Sequence, residues 1–297
     1  MAAQRRGRGG KMLRKGHRKR VWGVAVSPDG STLASVDQGG VLCVGPLWQA
    51  EPTHTIQAYA SFATSVCWQG DALIGVGGVL ALGRWDARTG AQVDARELTA
   101  GGAVHDVVAT RGAIVASTQR GEGWRWVPGE EPSALGVGSM SRMASLEELL
   151  VFAGPGGEVI ARGDDDAERW RLAPGGAVSA LAVSREGERV AVGVRGEVSG
   201  DSVVRVYSAA GGALLYEYGG FSSRVCALAF SPGGEWLAVG VDSSAARMLR
   251  AADGEDVTEA FGDLPVAMDL ALTDDTLVIA ESMTSKVRLY DLLRFLG

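Results

Sequence analysis

A short apolar strand, a turn rich in Ser, Pro, Asp and Gly, and a second apolar strand occur together seven times along the chain. The pattern is clearest in RVWGVAVSPDGSTLASV, which begins at Arg20, and RVCALAFSPGGEWLAVG, which begins at Arg224. Weaker copies begin at Thr64, Ala103, Ser139, Ala177 and Val266. Successive copies start about 36 to 47 residues apart, a period typical of four-stranded propeller blades. The pattern predicts an all-β fold, a seven-bladed β-propeller in which each blade is a four-stranded antiparallel sheet.

Within each repeat, apolar runs separated by turn residues predict four strands, labelled a to d from the central channel outward. In the second repeat these strands lie approximately at 65–68, 72–76, 80–85 and 91–97. Strands a and b are almost wholly apolar, as expected where neighbouring blades cover both faces of a sheet. Strand d is more polar, as expected of a strand at the solvent-exposed rim.

The two ends of the chain predict how the ring closes. The last repeat supplies strands a, b and c by Asp291, whereas residues 12–15 lie directly before the first repeat, where a rim strand is expected. We predict that residues 12–15 form strand d of blade seven and so remove exposed sheet edges. The expected organisation is a flexible basic arm at 1–11 and a single propeller domain at 12–297, with blades at approximately 20–58, 62–100, 102–138, 139–174, 177–220, 222–264 and 265–297 plus 12–15.

Several of these segments resemble the WD-repeat family. GHRKRVWGVAVSPDG from Gly16 is similar to the consensus in which Gly-His precedes strand a and Ser-Pro-Asp-Gly follows it. RWDARTG from Arg84 carries the Trp-Asp pair that names the family, and VRVYS from Val204 and VRLYD from Val287 are similar to the same strand with Tyr in place of Trp. The resemblance covers residues 12–297 and implies a closed, non-catalytic platform that organises protein complexes.

One polar network of WD-repeat blades is only partly present. The resemblance implies hydrogen bonds among Asp, His, Ser or Thr, and Trp, yet only the first repeat has the Gly-His pair, at Gly16 and His17. In that repeat we expect Asp37 in the turn after strand b and Val44 at the position of the Trp. Because no repeat retains the whole network, we predict that the blades are held together mainly by apolar packing.

Charge is distributed unevenly along the chain. Residues 1–20 contain nine Lys or Arg and no acid, so the remaining residues carry 20 basic and 35 acidic groups, a formal balance of −15. The basic arm, represented by Arg5, Arg6, Arg8 and Lys11, has two interpretations. One is binding of nucleic acid or another polyanion. The other is a solvated tail or an internal tether that rests on an acidic face of the propeller.

The predicted topology separates two faces. The a–b and c–d turns share one face and are rich in Asp and Glu. The d–a and b–c turns share the other face, where Arg, aromatic and Met side chains predominate, as they do at protein interfaces. We therefore predict a partner-binding face formed by Arg20, Trp22, Phe62, His105, Arg120, Arg142, Arg195, Phe221, Arg224 and Met268. An alternative for Trp22 and Met268 is that they plug the mouth of the channel.

No motif in the sequence indicates a catalytic or metal site. The Gly-rich run at 75–78 lies between two strands, so no helix N-terminus is expected to hold an anion there. The three Asp at 164–166 are consecutive in sequence. Consecutive side chains diverge, whereas the ligands of a metal ion must converge, so no metal site is expected there. His105 and Asp106 are adjacent in a strand and are expected to point to opposite faces. The innermost column of strand-a residues is expected to hold one histidine and no acid: Trp22, Thr64, His105, Ser141, Ser179, Cys226 and Met268.

The remaining sequence features exclude several classes of protein. Cys43, Cys67 and Cys226 lie in different repeats without metal-ligand spacing, so we expect reduced, buried thiols in a cytoplasmic protein. No apolar run reaches the ~18 residues that span a bilayer, and no signal-peptide core is evident. We expect no cofactor, metal, membrane association or enzymatic activity. The predicted function is a protein-interaction scaffold or subunit, a monomeric propeller within a hetero-complex. The alternatives are a nucleic-acid-associated subunit that uses the basic arm and, more remotely, a propeller hydrolase.

Overall fold

The computed structural model describes residues 10–70, 72–100, 102–136, 140, 142–146, 149–196, 202–210 and 212–296. These residues form seven antiparallel sheets. The innermost strands of successive sheets contact one another in chain order, and that of the seventh sheet contacts that of the first. The sheets therefore close into a ring, and the predicted seven-bladed β-propeller is confirmed.

The strands follow the predicted repeats in chain order. The first strand, β1 (Lys11–Arg14), belongs to the last blade. Blade 1 consists of β2 (Val21–Val26), β3 (Thr32–Asp37), β4 (Val41–Pro46) and β5 (His54–Gln57). Blade 2 consists of β6 (Ser65–Gln69), β7 (Leu73–Gly77), β8 (Ala81–Asp86) and β9 (Gln92–Glu97). Blade 3 consists of β10 (Val104–Ala109), β11 (Ile114–Thr118), β12 (Gly123–Trp126) and β13 (Ser133–Ala134).

The second half of the ring repeats the arrangement. Blade 4 consists of β14 (Met143–Leu146), β15 (Leu149–Ala153), β16 (Val159–Gly163) and β17 (Glu168–Leu172). Blade 5 consists of β18 (Ala177–Val183), β19 (Arg189–Arg195), β20 (Ser202–Ser208) and β21 (Leu214–Phe221). Blade 6 contains β22 (Val225–Phe230), β23 (Trp236–Val241) and β24 (Arg247–Arg250). Blade 7 contains β25 (Ala267–Leu272), β26 (Thr276–Glu281) and β27 (Val287–Asp291), followed by the short helix α1 (Leu292–Leu296).

Blade 6 has a reduced rim. Its fourth strand is represented by an isolated bridge between Leu249 and Asp256, and a 3₁₀ helix at Thr258–Phe261 follows. Phe261 of this helix is 1% exposed and packs in a buried cluster with residues of blade 7. The helix therefore covers apolar surface that a longer rim strand covers in the other blades.

The N-terminal strand closes the ring. β1 pairs antiparallel with β27, from Lys11 opposite Tyr290 to Arg14 opposite Val287, one residue earlier than predicted. Arg14 is 3% exposed, and its guanidinium donates to the carbonyl oxygen of Pro46 in blade 1 at 2.8 Å. Burial lowers the pKa of Arg14 to about 10. β1 thus completes the sheet of blade 7 and also bonds to blade 1.

Most innermost strands share one irregularity. A register shift lies near the start of strand a in blades 1, 3, 5, 6 and 7, where one extra residue interrupts the pairing with strand b. The residues passed over at these shifts are Trp22, His105, Ser179, Cys226 and Met268. Such β-bulges re-aim side chains and break the simple alternation of a strand. The predicted inner column therefore coincides with a series of bulges.

Apolar side chains from facing sheets form the core between neighbouring blades. Between blades 1 and 2, Val36 and Val66 share a buried cluster with Trp85 of the Arg-Trp-Asp segment. Trp85 is 2% exposed, and Tyr290, at the corresponding place in blade 7, is 1% exposed. Aromatic side chains at this position of strand c therefore contribute strongly to the packing between blades, because each removes a large apolar area from water.

Candidate partner-binding face

The loops that join strand d to the next strand a, and strand b to strand c, form one face of the ring, which we call the upper face. It comprises the described parts of 15–20, 38–40, 58–64, 78–80, 98–103, 119–122, 135–142, 154–158, 173–176, 196–201, 222–224, 242–246, 262–266 and 282–286. Of the predicted face residues, Arg120 and Arg195 are exposed, and Phe62 is 37% exposed. Those that are half-buried are Arg20, Trp22, His105, Arg142, Arg224 and Met268.

Phe221 is buried and does not lie at the surface of the upper face. It ends β21, is 5% exposed and contacts the ring of Tyr218 at a centroid distance of 5.4 Å. It lies in a buried cluster shared by blades 5 and 6. The expectation that Phe221 is exposed on the upper face is therefore wrong, because its ring packs in the core between blades 5 and 6.

Two predicted anchors meet at the channel mouth. The rings of Trp22 and Phe62 stack with centroids 5.4 Å apart and an interplanar angle of 17°. The indole Nε1 of Trp22 is buried without a hydrogen-bond partner among the described residues. Nearby, Nη2 of Arg20 lies 3.1 Å from Sδ of Met268. Trp22 and Met268 thus pack against residues of upper-face loops, and Phe62 remains 37% exposed.

A buried histidine network fixes the loop that leads into blade 1. Nδ1 of His17 lies 3.0 Å from Oδ2 of Asp37, and Nε2 lies 2.8 Å from Oγ of Ser35. Burial opposes a charge on the ring, but the hydrogen bond to Asp37 raises the pKa of His17 to about 9. The fourth member is Cys43, whose Sγ lies 3.9 Å from Nδ1, and not Val44 as predicted. Cys43 is the residue paired directly with Ser35.

Asp37 also binds the loop between strands b and c. Its Oδ1 accepts the backbone N–H groups of Gly39 at 2.8 Å and Val41 at 3.1 Å. Burial disfavours the charged carboxylate, yet these bonds and His17 together lower the pKa of Asp37. One carboxylate therefore holds two loops of the upper face together, including the loop that carries Arg18 and Lys19.

Two carboxylates lie among the innermost strands, where the sequence predicted none. Asp106 follows the bulge at His105 and accepts from Oγ of Ser65 at 3.1 Å and from the N–H of Met143 at 3.3 Å. Burial raises the pKa of Asp106. Because of the bulge, His105 and Asp106 are both partly exposed, and the expected alternation does not apply. Asp106 thus links strand a of blade 3 to the same strand of blades 2 and 4.

Asp269 repeats this arrangement in blade 7. It follows the bulge at Met268 and accepts the N–H of Val24 in blade 1 at 2.8 Å. Burial raises the pKa of Asp269 to about 7. Burial also lowers the pKa of the nearby Arg142, although Asp106 opposes that shift. The two carboxylates are therefore bonded to neighbouring blades, and this engagement gives them a structural role.

Three exposed apolar residues of the upper face have a left-handed backbone. Phe62 has φ 20°, Leu80 has φ 53° and is 38% exposed, and Met283 has φ 64° and is 76% exposed. The other non-glycine residue with positive φ in the described chain is Asp166, in a c–d turn. Left-handed backbone is costly for bulky side chains, and such strain is concentrated at functional sites. These three residues therefore expose apolar surface from backbone conformations that are costly for their residue types.

Several arginines differ in whether a carboxylate neutralises them. Nε of Arg224 lies 2.9 Å from Oδ2 of Asp242, and both side chains are about one third exposed. Among the described residues, no ion pair involves the exposed Arg120 and Arg195. The upper face therefore keeps accessible positive charge at some positions and a neutralised pair at another.

Acidic turns dominate the opposite face, as predicted. Many of these acids stabilise their own turns, as where Oδ1 of Asp86 accepts the N–H groups of Arg88 at 2.9 Å and Thr89 at 2.7 Å. Those hydrogen bonds lower the pKa of Asp86. Of the predicted basic arm, Arg5, Arg6 and Arg8 lie outside the described residues. Lys11 belongs to β1 and not to the arm, and its Nζ lies 5.3 Å from the ring centre of Tyr290.

The structure accounts for the Gly-rich run in blade 2. A Cβ on Gly77 would lie 2.5 Å from the side chain of Val104, and one on Gly78 would lie 2.8 Å from Tyr59. These glycines permit close packing between blades. Elsewhere in the described chain, no cluster of three or more His, Cys, Asp or Glu side chains could hold a metal ion. No described helix is long and apolar enough to cross a membrane.

The sequence comparisons agree with this architecture. Residues 10–44 and 212–247 match the family model described as WD domain, G-beta repeat. No curated protein matches the sequence. The chain therefore contains two segments that match the WD-repeat family model, within a fold that is a seven-bladed β-propeller.

Solved structures resemble the whole ring. The β-propeller domain of Cps50 (Swd1) from Myceliophteria thermophila is 12% identical, with a TM-score of 0.79, and the match covers 95% of this chain and 99% of that one. The structure of U3-55K is 14% identical, with a TM-score of 0.79 and coverages of 95% and 98%. The RRP9 WD40 repeats are 13% identical, with a TM-score of 0.78 and coverages of 95% and 97%. At these identities the likeness establishes the fold.

Proposed function

We propose that this propeller is a non-catalytic scaffold or complex subunit that binds one or more proteins through its upper face. The observation that carries the proposal is the exposure of Phe62, Leu80 and Met283 on strained loops of that face. Apolar side chains that stay exposed at a conformational cost are typical of interaction surfaces. The partner-contacting residues in this proposal are Arg20, Trp22, Phe62, His105, Arg120, Arg142, Arg195, Arg224 and Met268.

We propose that the protein is non-catalytic because the carboxylates of the innermost strands are engaged in hydrogen bonds within the fold. Asp106 and Asp269 accept hydrogen bonds from neighbouring blades. A hydrolase needs carboxylates or histidines that converge on a substrate and are free to exchange protons with it. The proposal also includes a cytoplasmic location and one copy of the propeller per complex, which fractionation and mass measurement of the intact complex test.

The lysines of this chain make the proposal directly testable. They occur at positions 11, 15, 19 and 286 only. Lys19 and Lys286 lie in loops of the upper face, Lys11 lies in the rim strand β1, and Lys15 directly follows β1 and pairs with Glu51 of the c–d turn of blade 1. We expect a lysine-reactive cross-linker, applied to the tagged full chain in its native cells, to join partner proteins to Lys19 and Lys286. Partners joined only to Lys11 or Lys15, with Lys19 and Lys286 still freely modified, would place the interface elsewhere.

A second candidate function is association with nucleic acid through the N-terminal arm. It is favoured by the nine basic and no acidic groups in residues 1–20. The body of the protein, with a balance of −15, repels phosphate, so such binding would depend on the arm alone. A gel-shift comparison of the full chain with a chain that lacks residues 1–9 tests this. Binding that is lost with the deletion and falls steeply with salt supports it, and equal binding by both chains contradicts it.

A further inference from the structure

We infer that the partner contacts only the part of the upper face formed by blades 7, 1 and 2, and that it presents an acidic segment with large apolar side chains. This inference rests on the proposed function. It adds the position of the contact on the upper face and the chemical character of the partner segment. We call this part the three-blade surface. It is formed by Arg18, Lys19, Trp22, Phe62, Leu80, Met283 and Lys286.

Backbone hydrogen bonds and one ring contact join the loops of blades 7 and 1 to the loop that leads into blade 2. Thr284, next to Met283, accepts the N–H of Val21 at 3.1 Å, which connects the b–c loop of blade 7 to strand a of blade 1. Trp22 then stacks on Phe62 of the following loop. In the same way, the N–H of Ala63 binds the carbonyl oxygen of Asp37 at 3.1 Å. Met283, Trp22 and Phe62 therefore follow one arc across three adjacent blades, and Leu80 lies in the b–c loop of the last of them.

The charge of this arc favours an acidic partner. Arg18, Lys19 and Lys286 are exposed, and none of them forms an ion pair with a described residue. Two acids at the ends of the adjoining strands are buried and already engaged. Asp37 is bonded to His17, and Glu281, which is 7% exposed, pairs with Arg288. Exposed cations beside neutralised acids create a positive potential that attracts acidic groups and orients them on approach.

The apolar residues favour a protein segment over a nucleic acid. Single-stranded nucleic acid is bound by flat rings that stack on its bases along a positively charged groove. Leu80 and Met283 have no ring, and one side of Trp22 is already occupied by Phe62. Flexible Met and Leu side chains instead fit apolar side chains of a peptide, and Met in particular adapts to irregular partners. The remaining acidic body of the propeller also disfavours phosphate.

The test uses a random peptide library displayed on phage and selected on the immobilised full chain. We expect the selected peptides to be acidic and to contain a large apolar residue. Binding of synthetic versions should fall roughly thirtyfold or more, the loss typical of an interface hot spot, in R18E/K19E and in M283N. Asn tolerates the left-handed backbone, so M283N should fold normally. Melting curves check that both variants remain folded.

Matched controls lie outside the three-blade surface. R185E reverses an exposed charge in an a–b turn of blade 5, and L214N replaces an apolar side chain that is 52% exposed on its rim. Both should bind the peptides as the unmodified chain does. If R120E/R195E abolishes peptide binding while R18E/K19E does not, the partner binds the upper face outside the three-blade surface. The proposed function is then supported, and the present inference is contradicted. If only R185E or L214N weakens peptide binding, the binding site lies outside the upper face and the proposed function is contradicted as well.

Three further outcomes contradict the inference. One is the selection of basic or uncharged peptides. Another is the absence of any enriched sequence. The third is displacement of bound peptide by a single-stranded oligonucleotide with equal or greater affinity, which would assign the surface to nucleic acid.

Discussion

At the residue scale, the polar network around His17 shows what the sequence can and cannot identify. The Gly-His pair and Asp37 are recognisable because their positions relative to the first repeat follow the family pattern. The fourth member was misplaced by one residue, at Val44, because its identity depends on pairing register. In the structure Ser35 lies opposite Cys43, so the side chain of Cys43 faces His17. A thiol at this position gives no sequence signal comparable to a Trp.

The same network predicts a pH dependence of stability. The pKa of His17 is about 9 in the folded protein and about 6.5 when unfolded. Because the folded-state pKa is raised, the contribution of His17 to the free energy of unfolding is fully present below about pH 6.5 and is lost as the pH rises through about 9. This contribution is on the order of 3 kcal/mol.

D37N removes the carboxylate that raises the pKa of His17. We expect the variant to be less stable than the unmodified chain near pH 6 and the difference to shrink toward pH 9. Urea unfolding at both ends of this range measures the difference. A difference between the two proteins that is the same at both pH values would show that the Asp37 carboxylate does not set the charge state of His17.

At the element scale, the β-bulges of the innermost strands explain why the channel differs from the prediction. The predicted column identified Trp22, His105, Cys226 and Met268 correctly as equivalent positions. The acids that follow His105 and Met268 were missed because strict alternation directs them away from the column. An extra residue in strand a breaks this alternation, and no residue type in these segments predicts the resulting bulge. The repeat pattern therefore predicts each element but not the local direction of its side chains.

Asp269, one of the acids that follow a bulge, allows the burial of such a carboxyl to be tested. Burial raises the pKa of its carboxyl to about 7, from the ordinary 3.8, so folding disfavours the ionised form. Stability lost by ionisation of Asp269 therefore grows as the pH rises from about 4 to about 7 and is constant above that range. D269N cannot ionise, yet its side-chain oxygen can still accept the N–H of Val24.

We therefore expect D269N to gain stability relative to the unmodified chain as the pH increases over this interval. Urea unfolding of both proteins at several pH values measures the gain. R185E, which changes an exposed charge far from the channel, is a suitable control. A difference between D269N and the unmodified chain that does not change with pH would mean that Asp269 ionises as an exposed carboxyl does.

At the scale of the whole molecule, the repeat period and the incomplete last repeat were sufficient to predict seven blades and their closure. The packing surfaces of a propeller blade are covered by its neighbours, so the ring is stabilised as a unit once its last sheet is complete. The exposure of individual side chains on the upper face could not be predicted in the same detail. Phe221 and Phe62 look equivalent in sequence, but strand geometry buries the first and a left-handed loop exposes the second.

Closure by β1 predicts an abrupt effect of truncation. Removal of residues 1–14 deletes β1 and the bonds of Arg14 to blade 1, and it should lower the melting temperature of the entire ring. Removal of residues 1–9 leaves β1 intact and should have little effect. Circular dichroism during heating compares the two truncated chains with the full chain. Equal melting temperatures for both truncations would rule out β1 as the closing strand.

The central claim is that the upper face, at blades 7, 1 and 2, binds a protein partner. Hydrogen–deuterium exchange of the full chain, alone and in a complex purified from its native cells, tests this claim most directly. The account predicts slower exchange in the complex at residues 16–20, 59–64 and 282–286, and unchanged exchange in the acidic turns at 28–31 and 252–256. Protection of those acidic turns, with none on the upper face, would contradict it.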